Sequence, residues 1–380
     1  MVSFARKVFR VARWKAAQTW LSFWPNVEVI GVAGSVGKTT TKEVIAAILS
    51  ARFKTVKTSA NLDPIFNLPI TSFKTYGACK FVAELSVDKP GQMDKYLSLI
   101  KPRVGVLTRL SLEHTDSEHF GSLEKAIKEE LKLLKSLPMY GWAVLNGDDE
   151  QITKSSNLTK AKKLFYGFGE QNDIRIRIVQ QKVTGSKVES TLEIKYDTGN
   201  VKLTTNLLGK QNAVSVGAGV CVGILFGLGF DDIQKGLLTV QAAPGRLEPK
   251  VGKWGLILDD SYNASPAAVE AAIDVLVDLD PCNNILVLGD MLELGDYSKD
   301  AHLKVGKYAR EKGVNALAVY GKYAKDVVRS FGGDEKQVFI AKGHSEIVDW
   351  VNKIGKGVIL VKGSHSMHME KVVEGLINKD

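Results

Sequence analysis

From Val29 to Thr41 the chain reads Val-Ile-Gly-Val-Ala-Gly-Ser-Val-Gly-Lys-Thr-Thr-Thr, a spacing of glycines, lysine and threonines that suits a polyphosphate. Gly34-Ser35-Val36-Gly37 forms a turn tight enough to aim several backbone N–H groups at one point, and the helix start behind it favours an anion there. Lys38 then reaches the outer phosphates as a point charge, and the Thr39 hydroxyl ligates a Mg2+ ion bridging them. Val32 stands where the first glycine of G-x-x-x-x-G-K-[ST] belongs, so the loop is a shortened G-x-x-G-K-T. A glycine turn before a helix also occurs with no ligand, but Gly-Lys-Thr directly after a strand favours phosphate. Gly34, Ser35, Val36, Gly37, Lys38, Thr39 and Thr40 are therefore the nucleotide-binding candidates, with ATP and Mg2+ as the expected cofactors.

Such a loop needs a strand before it and a helix after it. Val27 to Val32 has strand character, and Lys42 to Ser50 has helical apolar periodicity. Further strand-like runs at Lys80–Leu85, Val104–Leu107 and Trp142–Leu145 alternate with helical stretches, which predicts an α/β fold with a mostly parallel sheet. Strict alternation in Ile174-Arg-Ile-Arg-Ile178 and Thr191-Leu-Glu-Ile-Lys-Tyr196, with Asp197–Asn200 as the turn, predicts an antiparallel hairpin added to that sheet. Ala243-Pro-Gly-Arg246 reads as a linker. Beyond it, runs at Leu256–Asp259, Ile285–Leu288, Ala316–Tyr320 and Val358–Val361 predict a smaller, doubly wound, Rossmann-like unit. The expected division is 1–24, a basic amphipathic segment; 25–243, the ATP-binding domain; and 244–380, the C-terminal domain.

The 380 residues suffice for two or three cores, and 44% apolar and 8% aromatic content describe a soluble globular chain. The 51 basic against 42 acidic residues leave +9, which suits an anionic partner. Cys79, Cys221 and Cys282 lie far apart without metal-like spacing, which points to a reducing compartment, hence the cytoplasm.

Eight strings in order carry a family resemblance: Gly34–Thr39, Glu84-Leu-Ser86, His114, Phe120-Gly-Ser122, Pro244-Gly-Arg246, Asp259-Asp-Ser-Tyr-Asn-Ala264, Leu288-Gly-Asp-Met-Leu-Glu-Leu-Gly295 and Lys362-Gly-Ser364. Together they resemble the Mur ligases, most of all the branch that adds D-Ala-D-Ala to the UDP-muramoyl tripeptide. The resemblance implies ATP-dependent amide formation through an acyl phosphate, with a cell-wall precursor carboxylate and an amino acid or dipeptide as substrates and no nucleic acid partner. It implies that Thr39 and Glu84 hold one magnesium and His114 helps hold a second. It also implies that Asp260 accepts from the ribose, that Tyr262 and Asn263 lie near the nucleotide, that Arg246 reaches phosphate and that Asn212 lies near the adenine, with Gln211 in place of the family histidine. Standing alone, Glu84 reads equally as a surface carboxylate, His114 as a solvated loop histidine and Asp259-Asp260 as a capped strand end.

Four departures matter. The family's metal-bridging carbamylated lysine falls in Lys128-Glu129-Glu130; a gap-free alignment puts Glu130 there, Lys128 is the alternative, and a solvated helix face is the third reading. In Asn61-Leu-Asp-Pro-Ile-Phe-Asn-Leu-Pro69 the family's Glu-Ile-Gly becomes Ile65-Phe66-Asn67, and the arginine expected after Ser364 is His365, a poorer carboxylate receptor. Finally, the family begins with a UDP-sugar-binding domain, whereas about 24 residues precede the loop here. The acceptor is then expected to be held by the two remaining domains, by a partner protein or at a membrane.

Residues 1–24 carry Arg6, Lys7, Arg10, Arg13 and Lys15, no acid, and an apolar end of Trp20, Leu21, Phe23 and Trp24. On a helix Arg6, Arg10 and Arg13 share one face and Phe4, Val8 and Val11 another. Two readings stay open: attachment to an anionic membrane surface at the inner face of the membrane, or docking on the next domain. For the whole chain the alternative to a ligase is a catalytically reduced nucleotide-binding subunit that regulates or scaffolds such ligases.

Overall fold

The structure, a computed structural model, describes residues 2–59, 62–197, 199–334 and 336–377, with the side chains of residues 2–8 left outside the description. After helix α1 (Val2–Ser22) come β1 (Glu28–Ala33), α2 (Lys38–Ser50), β2 (Thr55–Lys57), α3 (Pro64–Ser72), β3 (Lys80–Glu84), α4 (Gln92–Leu99), β4 (Val104–Leu107) and α5 (Leu123–Glu130). The chain continues through α6 (Lys132–Ser136), β5 (Trp142–Asn146), α7 (Glu150–Ser155), β6 (Lys162–Gly167), β7 (Ile174–Thr184), β8 (Lys187–Tyr196), β9 (Gly199–Thr205), α8 (Lys210–Leu225) and α9 (Phe230–Thr239). These strands form one sheet in the order β2-β3-β1-β4-β5-β6-β7-β8-β9, parallel up to β7 and antiparallel from β7 to β9. The expected hairpin is thus a three-stranded extension.

β1 is buried on both faces. Ile30 and Val32 join one apolar cluster with Val44 and Ile45 of α2, and Val29 and Ala33 join another with Phe81 and Ala83. That two-sided burial explains its apolar run from Val29 to Ala33.

A second sheet gathers β10 (Glu248–Gly252), β11 (Gly255–Asp260), β12 (Asn284–Gly289), β13 (Ala316–Tyr320), β14 (Val338–Ala341) and β15 (Val358–Lys362) in the order β10-β11-β15-β12-β13-β14. All are parallel except β10, which pairs antiparallel with β11. Sequence patterning missed the short or half-exposed β2, β6, β10 and β14, whose apolar runs are too brief to stand out.

The N-terminal helix packs on its neighbours, as the second of the two open readings had it. α1 lies on α3 and α4, with Ala17 fully buried and Trp14 and Leu21 against the adjoining core. Trp20 stands 6.0 Å from Phe73 and Trp24 5.1 Å from Tyr76, edge to face. Arg10 and Arg13 lie over the Phe66 ring at 5.9 and 5.1 Å, so the arginine side faces protein, while Val11, expected on the apolar face, is exposed. Phe4, Arg6, Lys7 and Val8 fall among the side chains not described. The tryptophans therefore serve docking, because packing them on α3 and its following turn buries area that lipid would otherwise have to cover. No helix among the described residues is long and apolar enough to cross a membrane.

Deleting residues 1–24 is expected to remove roughly 3 kcal/mol of burial and lower Tm by roughly 5–10 °C. Scanning calorimetry of both forms reads this, and an unchanged Tm would contradict the docking.

Candidate active site

β1 delivers the phosphate loop to the carboxyl end of the large sheet, where parallel α/β folds place their ligands. Gly34 has φ +126°, and a Cβ on it would fall 2.4 Å from Thr108 Oγ1, so only glycine fits. Ser35 closes the turn: its N–H donates to Arg109 O at 2.6 Å and its hydroxyl to Ser111 O at 3.1 Å. Gly37, at φ 90°, starts α2 with no side-chain cap, which leaves the first N–H groups of the helix facing the cavity. Lys38 donates to Ser35 O at 2.7 Å and curls over the loop.

Strand register places the next group. Val32 pairs with Glu84 across β1 and β3, and Thr39 Oγ1 donates to Glu84 Oε1 at 2.9 Å. Beneath them Lys42 is fully buried, with Nζ 3.1 Å from Glu43 and 3.5 Å from Glu84, so it compensates the Glu84 charge at close range. Glu130, 5% exposed, accepts the Gly34 N–H at 2.9 Å. Burial pushes its carboxyl up to about 7, against the pull of Lys38 and the Gly34 N–H.

Lys128 does not join this group. It sits on the solvent side of α5, 72% exposed and paired with Glu124 at 3.0 Å, whereas Ala126, Glu129 and Glu130 face inward. Two helical residues span about 200° of rotation, so the helix cannot present both Lys128 and Glu130 to the loop.

Across the cleft, Asp260 pairs with Lys362 in the β11–β15 register, and Lys362 Nζ donates to Asp260 Oδ2 at 2.6 Å and Asn263 O at 2.8 Å. Asp260 Oδ1 accepts the Leu247 N–H at 3.0 Å. Burial raises the Asp260 carboxyl above its ordinary range despite Lys362. Each oxygen thus has a partner, Oδ1 the residue that follows the linker and Oδ2 Lys362. Arg246 lies over the Tyr262 ring at 4.2 Å, His365 stands 5.3 Å from the same ring, and Asn212 is buried with its amide on Leu208 O.

His114, in the left-handed region at φ 54°, sits 2.6 Å from Glu293 Oε2. Burial alone would lower its pKa, but Glu293 and Glu113 outweigh that and raise it. A cavity of 240 Å³ between the sheets is lined by Ser35 to Thr40, Glu84, His114, Asn212, Arg246, Asp260, Tyr262 and Asn263. Every sequence candidate lines this cavity except Lys128, Gly34 and Glu130, the last two joined to each other through the Gly34 N–H.

Residues 32–223 match the Mur ligase middle domain and residues 245–365 the Mur ligase glutamate ligase domain. The chain belongs to the Mur ligase family. It is an ATP-dependent ligase of that type. The UDP-N-acetylmuramoyl-tripeptide–D-alanyl-D-alanine ligase of Escherichia coli is 30% identical over 94% of this chain and 78% of its own length. Its Bacillus subtilis counterpart is 30% identical over 93% and 76%. The Thermotoga maritima MurF ligase, solved in complex with ADP, is 25% identical and superposes with a TM-score of 0.84 over 97% of this chain and 83% of that one.

Lys42, Lys362, Glu293 and His119 escaped sequence reasoning as site residues. Lys42 lies one helical turn after Lys38, which was a usable signal; the others depend on strand register or on loops meeting across the cleft.

The buried Glu130 yields a pH prediction. Its folded pKa, about 7 against 4.5, means that the folded state binds the proton more tightly, so stability falls as pH rises from about 4.5 through 7. In EDTA, urea unfolding of Glu130→Gln should gain on the parent protein by about 3 kcal/mol between pH 4.5 and 8. A difference that does not change with pH would refute the burial assignment.

Proposed function

We propose that this chain joins a carboxylate of an anionic cell-wall precursor to the amine of an amino acid or a D-Ala-D-Ala-like dipeptide, with ATP as the energy source. Relatives matched across more than nine-tenths of the chain carry that activity in their names. The observation that carries the reading is Glu130, a buried carboxylate held against the Gly34 N–H of the glycine loop, which we take to stand in for the metal-bridging group that the family resemblance implies.

The donors fit magnesium: the Thr39 hydroxyl and the Glu84 and Glu130 carboxylates are hard oxygens, with His114 beside them. Bound there, magnesium would neutralise phosphate charge. Backbone N–H groups of residues 34–40 would hold the phosphates, and Lys38 would leave Ser35 O for the γ-phosphate. An acceptor carboxylate oxygen attacks the γ-phosphorus and ADP departs. The amine then attacks the acyl carbon, the C–O bond to phosphate breaks, and the nitrogen loses a proton. Arg246 and Tyr262 would contact the nucleotide from the second sheet, with Asn263 nearby and Asn212 towards the base. Asp260, which lines the cavity, would accept from the ribose with the lone pairs left beside its bonds to Lys362 and the Leu247 N–H.

A neighbouring cavity of 190 Å³, lined by Ser59, Asp63, Asn67, Ser86 and Tyr262 beside Thr39 and Glu84, supports an acceptor entering there. Asn67 braces this wall, exchanging hydrogen bonds with the Ser59 backbone at 3.1 and 2.7 Å. We take 1–24, 25–243 and 244–380 as the working units. Peripheral membrane attachment is not part of the reading, since Trp20 and Trp24 are engaged with Phe73 and Tyr76, and neither a partner protein nor a catalytically reduced subunit is favoured by an observation.

Lys38→Ala should lower ATP turnover, assayed with Mg2+, a UDP-muramoyl tripeptide and D-Ala-D-Ala, by 100-fold or more; an unchanged rate would contradict the site. If Glu130 is the bridging carboxylate, bicarbonate should leave the rate unchanged, and Lys128→Ala should stay within twofold of the parent. Bicarbonate rescue of activity at high pH would point to carbamylation instead.

A further inference from the structure

We infer that His114, His119 and Glu293 form a binding site for a divalent transition-metal ion of zinc-like preference, which ties the two sheets' units together at the mouth of the cleft. One donor atom from each residue lies within 4.8 Å of the others, the one such group of three among the described residues. Two nitrogens and a carboxylate oxygen form a three-donor set with an open fourth position. Its softer donors separate it from the oxygen-rich magnesium set, although His114 is common to both.

The second observation concerns the ring of His119. Its Nδ1 lies 2.6 Å from Asp116 Oδ1, and the same oxygen accepts the N–H groups of Glu118 and His119 at 3.0 and 3.1 Å. A carboxylate so fixed holds the Nδ1–H and leaves Nε2 as the donor, the arrangement that orients metal-bound histidines. The mechanism proposed above makes no use of His119 or Asp116.

The two sides of the site are already registered. Thr115 N–H donates to Glu293 O at 2.9 Å and Thr115 Oγ1 to Leu294 O at 3.2 Å. His114 and Glu293 both take left-handed φ, 54° and 63°, although neither is glycine, so the backbone is bent to bring these side chains together. Their present 2.6 Å contact opens to about 3.3 Å when both ligate a tetrahedral ion at about 2.0–2.1 Å. This is a small adjustment of side chains on opposite walls. A bound ion therefore holds residues 114–119 against residues 293–295.

The test uses full-length protein, stripped with EDTA, dialysed and free of nucleotide. Titrated Co2+ should give visible absorption bands saturating at one ion per chain, reversed by Zn2+ and untouched by 1 mM Mg2+. His119→Ala and Glu293→Gln should each weaken Co2+ at least tenfold, and Asp116→Asn tenfold or more, while Glu84→Gln stays within twofold. Because a variant can lose binding by misfolding, far-UV circular dichroism and Tm accompany each: Zn2+ should raise Tm of the parent and not that of a folded His119→Ala. Equal Co2+ affinity in His119→Ala and the parent, displacement of Co2+ by 1 mM Mg2+, or no saturation at one equivalent would overturn the assignment.

Discussion

The Glu130 carboxylate accepts the Gly34 N–H in a nearly buried place, and much of the central architecture answers to that constraint. A carboxylate in such surroundings resists ionisation, and only nearby positive charge can hold it charged at neutral pH. Lys38 supplies part of that charge from the loop. α5 must therefore end with its inward face beneath the loop, and β1 must deliver Gly34 without a side chain at the point of contact. An apolar residue at this position would avoid that cost of burial, which is why we propose a functional role for Glu130.

The same economy of charge governs the opposite wall. Lys362 and Asp260 neutralise each other in adjacent strands, and the pair reaches out to fix Leu247 and the backbone of Asn263. The residue that follows the linker is thereby tied to β11, with Arg246 over the Tyr262 ring. Asp290 does similar work lower down, accepting the Lys322 and Tyr323 N–H groups at 2.7 and 3.1 Å and passing its backbone oxygen to Ser364. The string from Leu288 to Gly295 is thus rigid at its base and carries Glu293 to the cleft at its tip.

Much of this was legible from residue types and local spacing. The phosphate loop announces itself because glycine, lysine and threonine must be contiguous to do their work, so the relevant chemistry is written within six residues. The parallel strands were legible because burial on both faces demands unbroken apolar runs, as in β1, β4 and β12. The face of α1 was not legible: its arginines and tryptophans can each cover apolar protein surface as readily as lipid, and only the presence of Phe66, Phe73 and Tyr76 opposite them decides.

What the sequence by itself determined is the set of groups and the fold that presents them: a phosphate loop after a parallel strand, Glu84 at a strand end, a histidine in a loop, and two α/β units joined at Ala243–Arg246. What only the tertiary structure decided is which of those groups touch. Glu84 meets Thr39 because β3 aligns with β1 at Val32, and Lys362 meets Asp260 because β15 aligns with β11. Glu130 and not Lys128 faces the loop because the core sets the rotation of α5. Glu293 reaches His114 across 179 residues of chain only when the two sheets are placed together. Local spacing fixes chemistry within a turn or a strand, whereas register, helix rotation and the meeting of distant loops follow from packing the whole chain.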